Sequence, residues 1–103
     1  MPGPLVSVDA LCARAGEMLR AAGFVVDVVS MQSEATYYRM PGKAGLLRVA
    51  SHPKKSKGVA GSVTFIANRT TPGLLRMTDE QLREQVARAI GFYIMKTVEE
   101  PKP

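Results

Sequence analysis

The chain has 103 residues, 46% hydrophobic and 22% charged, with a formal net charge of +5 and a sequence pI near 9.7. This describes a single domain, 1–103, with a modest core that folds without staples and a composition ordinary for a soluble globular protein. A lone cysteine, Cys12, excludes an internal disulfide framework and a cysteine-based metal site, and no apolar run reaches bilayer length.

Residues 1–6 contain two prolines and are expected to be an extended, fraying lead-in. The opening Met-Pro-Gly-Pro-Leu-Val has neither a basic n-region nor an apolar h-region, so the expectation is a cytoplasmic protein without a signal peptide. Ser7 then serves as an N-cap, with Asp9 in the first turn where the helix dipole favours it. Leu11, Ala15, Met18, Leu19 and Ala22 recur at spacings of three and four, which predicts an amphipathic helix of about four turns. Cys12 falls on this helix and reads as a small buried hydrophobe, and Gly16 inside it either weakens the helix or marks close packing against a neighbour. Gly23 takes the left-handed position after the last turn, with Phe24 folding back on it.

Phe24 to Met31 is a β-branched strand, with Phe24, Val26 and Val28 on one face and Val25, Asp27, Val29 and Met31 on the other. Gln32-Ser33-Glu34 is a turn, and Ala35 to Met40 the second strand. Pro41-Gly42-Lys43-Ala44-Gly45 turns the chain into a third strand, Leu46 to Ser51, paired back as a hairpin. Pro53 ends that strand, because it cannot donate to a ladder. Lys54-Lys55-Ser56-Lys57-Gly58 is a basic, mobile loop, and Ser62 to Asn68 a fourth strand. After the turn at Thr71-Pro72-Gly73, Leu74-Leu75 plugs an edge of the core.

Thr78 and Gln81 form a capping box, with Asp79 and Glu80 at the positive end of a second helix that runs to about Val98. Leu82, Val86, Ile90, Tyr93 and Thr97 trace its apolar stripe. Glu99 to Pro103 is a flexible polar tail. The order α-β-β-β-β-α predicts an α+β two-layer sandwich, with two helices covering one face of a four-stranded antiparallel sheet.

Charge is distributed unevenly along these elements. From Ala35 to Thr78 there are eight basic residues and no Asp or Glu, whereas the other 59 residues hold six basic and nine acidic side chains. Such asymmetry points to a surface meant for an anionic partner, and a pI this high fits nucleic acid, an acidic protein face or an anionic membrane. Lys54, Lys55 and Lys57 supply point charges suited to phosphates, and Arg39, Lys43, Arg48 and Arg69 extend the set. Solvated lysines that protect a sheet edge are the blander account of the loop. Tyr37 and Tyr38 beside arginines suit base stacking, although adjacent strand residues face opposite ways, so at most one lies on an open face. His52, the sole histidine, would need a metal-binding carboxylate or another partner to act as a nuclease base, and none stands near it in sequence. A hydrogen-bonded structural role is the simpler account of it.

Ser33-Glu34-Ala35-Thr36-Tyr37-Tyr38, followed by Leu47-Arg48-Val49-Ala50-Ser51-His52-Pro53, resembles a two-strand pattern of small phage and mobile-element proteins. That pattern is a Ser-x-x-x-Tyr strand, a Gly-containing turn and an (Ile/Leu)-Arg-(Ile/Val)-Ser-Asp-His strand. The likeness covers about a fifth of the chain, and Ala50-Ser51 stands here in place of Ser-Asp. It implies a mobile-element or anti-defence setting rather than a reaction.

The expectation is therefore a non-enzymatic binding protein without cofactor or metal, whose partner is nucleic acid or an acidic or nucleoprotein surface and not a membrane. An anti-CRISPR-type inhibitor that docks on a host effector is the alternative, and a small nuclease centred on His52 the third reading. An exposed apolar patch of Phe92, Ile94 and Met95 on the last helix would favour a protein partner, and equally a homodimer through that helix.

Overall fold

A computed structural model describes residues 3–30, 35–52 and 59–97. The chain runs β1 (Leu5–Ser7), α1 (Val8–Ala21), β2 (Val25–Ser30), β3 (Ala35–Arg39), β4 (Leu46–Ala50), β5 (Val59–Thr64), β6 (Leu74–Arg76) and α2 (Asp79–Lys96). The architecture is α+β, with a mixed four-stranded sheet in the order β2-β3-β4-β5 and a separate ribbon of β1 with β6. The expected turn at Gln32–Glu34, the strand stop at Pro53, Met31, Val98 and the tail from Glu99 lie outside the described residues.

Both helices start and stop where local chemistry directs. Ser7 Oγ accepts from the Ala10 N–H at the head of α1. At its end Gly23 has φ +102°, and Phe24 N–H returns to the Leu19 carbonyl, which seats Phe24 in the core. In α2 the capping box is complete. Gln81 N–H donates to Thr78 Oγ1 at 3.1 Å, and Thr78 N–H donates to Gln81 Oε1 at 2.9 Å. Arg14 of α1 pairs with Asp79 in the first turn of α2, and its guanidinium holds the Asp79 carboxyl below the usual carboxylate range. The lowered pKa means that this contact contributes above the ordinary carboxylate pKa and is lost as the pH falls through the depressed one.

The two helices meet the same row of the sheet. Tyr38, Leu47 and Gly61 are register partners across β3, β4 and β5, so they share a face. A Cβ on Gly16 of α1 would lie 2.2 Å from Tyr38 Oη, and one on Gly61 would lie 2.8 Å from the Ala89 carbonyl oxygen of α2. Leu11, Leu19, Leu47, Val63, Phe65, Leu82 and Tyr93 are buried together between these elements. Tyr93 also clasps the β3–β4 hairpin. Its hydroxyl accepts from Met40 N–H at 3.1 Å and donates to the Gly45 carbonyl at 3.0 Å, and its ring meets Phe24 edge-on at 5.0 Å.

Four expectations are corrected. The sheet is mixed rather than antiparallel, because β5 runs parallel to β4. Parallel neighbours normally need a dozen or more connecting residues. Only residues 51–58 separate the two strands, and a chain of that length can reach about 26 Å, enough to pass strands about 17 Å long. Second, β5 begins at Val59 and ends at Thr64, earlier than the expected Ser62–Asn68. Val59-Ala60-Gly61 has weak strand propensity of its own and is recruited by pairing with β4. Third, Leu5–Ser7 and Leu74–Arg76 form a ribbon rather than a frayed lead-in and a plug, extended by Met77 N–H to the Pro4 carbonyl and Val8 N–H to Gly73. In β2 a bulge at Asp27 breaks the expected alternation, and Val25 and Val26 are both exposed on this outer strand.

Replacing Gly16 by Ala is expected to cost about 1–3 kcal/mol in urea denaturation, despite alanine's better helix propensity, because the new methyl overlaps the buried Tyr38 hydroxyl. The Gly16→Ala/Tyr38→Phe double variant should recover part of that loss. No recovery would place the strain elsewhere.

Candidate functional site

The described basic residues of the central stretch do not gather on one surface. Arg48 lies in the middle of β4, opposite Tyr37 on β3 and Ser62 on β5, on the face away from Leu47 and Val49. It is only 1% exposed. The expectation that Arg48 contacts phosphate at the surface is thereby corrected. Both faces of β4 are buried, and the guanidinium is turned to the chain that leaves the strand. Arg48 Nη1 donates to the His52 carbonyl at 3.0 Å, and Nη2 lies 3.3 Å from His52 Nε2. Because a guanidinium can only donate, Nε2 is the acceptor, and the ring proton of neutral His52 sits on Nδ1. Among the described residues no carboxylate pairs with Arg48, and its buried Nε has no hydrogen-bond partner. A cation withdrawn from water in this way carries a desolvation cost that two hydrogen bonds offset only in part.

His52 is therefore occupied. The ring nitrogen that could take a proton as a general base is the one that accepts from Arg48. Among the described residues no group of three His, Cys, Asp or Glu side chains is placed to hold a metal ion.

The remaining site residues spread along the sheet. Tyr38 is buried under α1, where burial raises its phenol pKa, so it is no stacking platform. Tyr37 is half-buried on the Arg48 face. Arg39, at the end of β3, reaches Asp27 at 4.0 Å, an acid brought there by the bulge in β2. Lys43 sits in the hairpin turn before β4, whereas Arg69 follows β5, so the length of the sheet separates them. Lys54, Lys55 and Lys57 lie outside the described residues. Charge is nonetheless segregated by element. Asp9 and Glu17 are on α1, Asp27 on β2, and Asp79, Glu80 and Glu84 on α2, while β3 to β6 carry no acid.

A second feature escaped the sequence reading. Val59, Ala60, Gly61 and Ser62 of β5 and Phe92 and Lys96 of α2 line a groove of about 340 Å³. Lys96 Nζ stands 5.7 Å from the centre of the Phe92 ring. Phe92 is 48% exposed and Met95 81%. The two lie about 60° apart around the helix and share a flank, but Ile94 is about 160° from Phe92 and faces elsewhere. The expected three-residue patch is thus a two-residue one. Its signal in the sequence was the uncharged run Val59–Thr64 together with the Phe92–Lys96 spacing of four.

No family model matches the chain, and neither a curated protein nor a solved structure matches it. Among the described residues no helix is long and apolar enough to cross a membrane.

Two outcomes follow. Arg48→Met, which removes an uncompensated buried charge at similar length, should hold stability or raise it by up to about 4 kcal/mol in urea denaturation; a loss of several kcal/mol would mean that the bonds to His52 outweigh desolvation. Burial, aided by Asp9, pushes the Cys12 thiol from 9.0 to about 11, so at pH 8 it should alkylate about 100-fold more slowly in the native protein than in the unfolded chain. Equal rates would show an open thiol.

Proposed function

We propose that the protein acts by binding rather than by catalysis, and that it binds an anionic partner, nucleic acid in the simplest case, through β3, β4 and the connections around them. The observation that carries this reading is the segregation of charge: the described acids occupy α1, β2 and α2, and the stretch from Ala35 to Thr78 has eight basic residues and no Asp or Glu of its own. Arg48 supports it in a different way from the one its sequence position suggested. A buried guanidinium tied to His52 fixes the exit from β4, shortly before Lys54, Lys55 and Lys57 in the sequence, and in this reading it serves as a strut and not as a contact. Such contacts give salt-sensitive affinity with little sequence preference.

A second reading is an adaptor or inhibitor that docks on a protein or nucleoprotein complex, in the anti-defence setting that the two-strand resemblance implies. The exposed flank of Phe92 and Met95 favours it.

Titration against single- and double-stranded DNA and RNA at several salt concentrations separates the two. The first reading expects log affinity to fall with log salt with a slope of several units, and a Lys54/Lys55/Lys57→Ala variant to flatten it by about 2. A flat slope, or no binding at low salt, would discard nucleic acid as the partner and favour a protein.

A further inference from the structure

We infer that the groove between β5 and α2 takes one unpaired nucleotide of a single-stranded nucleic acid, its base on the Phe92 ring and its phosphate on Lys96. This site adds a base contact to the anion-binding reading above, on which it rests. Three features converge there. Val59, Ala60, Gly61, Ser62, Phe92 and Lys96 line a space of about 340 Å³, within the range of about 300–1,000 Å³ that small-molecule sites occupy. Phe92 is 48% exposed, and Lys96 Nζ stands over its ring at 5.7 Å. The ladder is irregular at the same place: Leu46 pairs with Val59 and Leu47 with Gly61, so Ala60 is left over as a bulge.

The packing of α2 builds this groove. The helix seats on β5 at Gly61, where a Cβ would lie 2.8 Å from the Ala89 carbonyl oxygen. About one turn further along α2 come Phe92 and Lys96, four residues apart and so neighbours on the helix surface, beside the bulge. The extra residue of a bulge is left out of the ladder. Ala60 therefore brings peptide groups without a β4 partner to the wall of the groove.

The lining selects the class of ligand. Among the described residues no acid lines the groove and its one charge is a cation, so charge complementarity calls for an anion. The exposed ring calls for a flat π-bearing body beside that anion, and the Ser62 hydroxyl and the bulged peptide offer both donors and acceptors. A nucleotide joins a flat base to a phosphate, whereas a bare phosphate or an acidic peptide leaves the ring unused. The base has to be unpaired, because within a duplex its faces are taken up by the stack. On binding, the base replaces the Lys96 ammonium over Phe92, and the flexible lysine stem carries that charge to the phosphate. The exchange is favourable, since an exposed cation–π contact is weaker than a base stacked on an aromatic ring.

Fluorescence anisotropy of the full chain with labelled oligo-dT and oligo-U, and with the matching duplexes, tests this at several salt concentrations. Each strand should bind about tenfold tighter than its duplex. Phe92→Ala should weaken strand binding about tenfold and leave the salt slope unchanged, because stacking releases no counterions; Phe92→Tyr should keep the affinity. Lys96→Ala should lower the slope by about 0.7. Both residues are exposed, and far-UV circular dichroism verifies that the variants fold. A duplex bound as tightly as its strand overturns the proposal. Strand binding indifferent to Phe92→Ala overturns it too, and if the Lys54/Lys55/Lys57→Ala variant still loses that binding, the anion-binding reading stands without this site. No binding of any nucleic acid at low salt overturns both.

Discussion

The hydrogen bonds from Arg48 to the carbonyl and ring of His52, two residues past the end of β4, fix how the chain leaves a central strand of the fold. They hold His52 over the face that Arg48 occupies, and the next described strand, β5, runs beside β4 in the same direction. A hairpin at this point would have made the fourth strand antiparallel, with its residues shifted toward Asn68. The parallel return instead sets β5 at Val59–Thr64, puts Gly61 under Ala89 of α2, and opens the groove beside Phe92. The direction of this one strand thus sets the seat of a helix and the edge that the sheet presents.

That arrangement is not cheap. A guanidinium that is 1% exposed, without a carboxylate among the described residues and with an orphaned Nε, is weak as a source of stability. Conformational definition is a better account of it, since few alternative paths for residues 51 and 52 would satisfy the same donors. Stability is supplied elsewhere, by the buried cluster around Tyr93, whose hydroxyl reaches two backbone groups of the β3–β4 hairpin from a helix more than forty residues downstream. Tyr93 and Arg48 divide the work: the first fastens α2 to one end of the sheet, the second sets how the chain leaves the other.

The functional features follow the same division. Asp79 of α2 finds Arg14 and Asp27 of β2 finds Arg39 within the fold, and β3 to β6 carry no acid of their own. The fold also consumes part of the basic set: Arg48 becomes a strut and Arg39 is held against Asp27. Among the described residues, what was read along the chain as one basic surface is therefore a set of separated positions, with Lys43 before β4 and Arg69 beyond β5. The uncharged edge of β5 stands apart from all of them.

The sequence by itself determined what short-range chemistry controls. Ser7, Thr78 and Gln81 cap the helices, Gly23 ends α1, Pro41–Gly45 turns the hairpin, and the stripe from Leu82 to Tyr93 faces the core. Each of these depends on residues within a turn or two of one another, where backbone hydrogen bonding and side-chain period leave few choices. Only the tertiary structure decided the direction of β5, the ribbon between Leu5–Ser7 and Leu74–Arg76, the bulge at Asp27, and the burial of Arg48 and Tyr38. Those outcomes rest on contacts between segments distant in sequence. There the period of two along a strand says which residues share a face, but not which face is covered, nor by what.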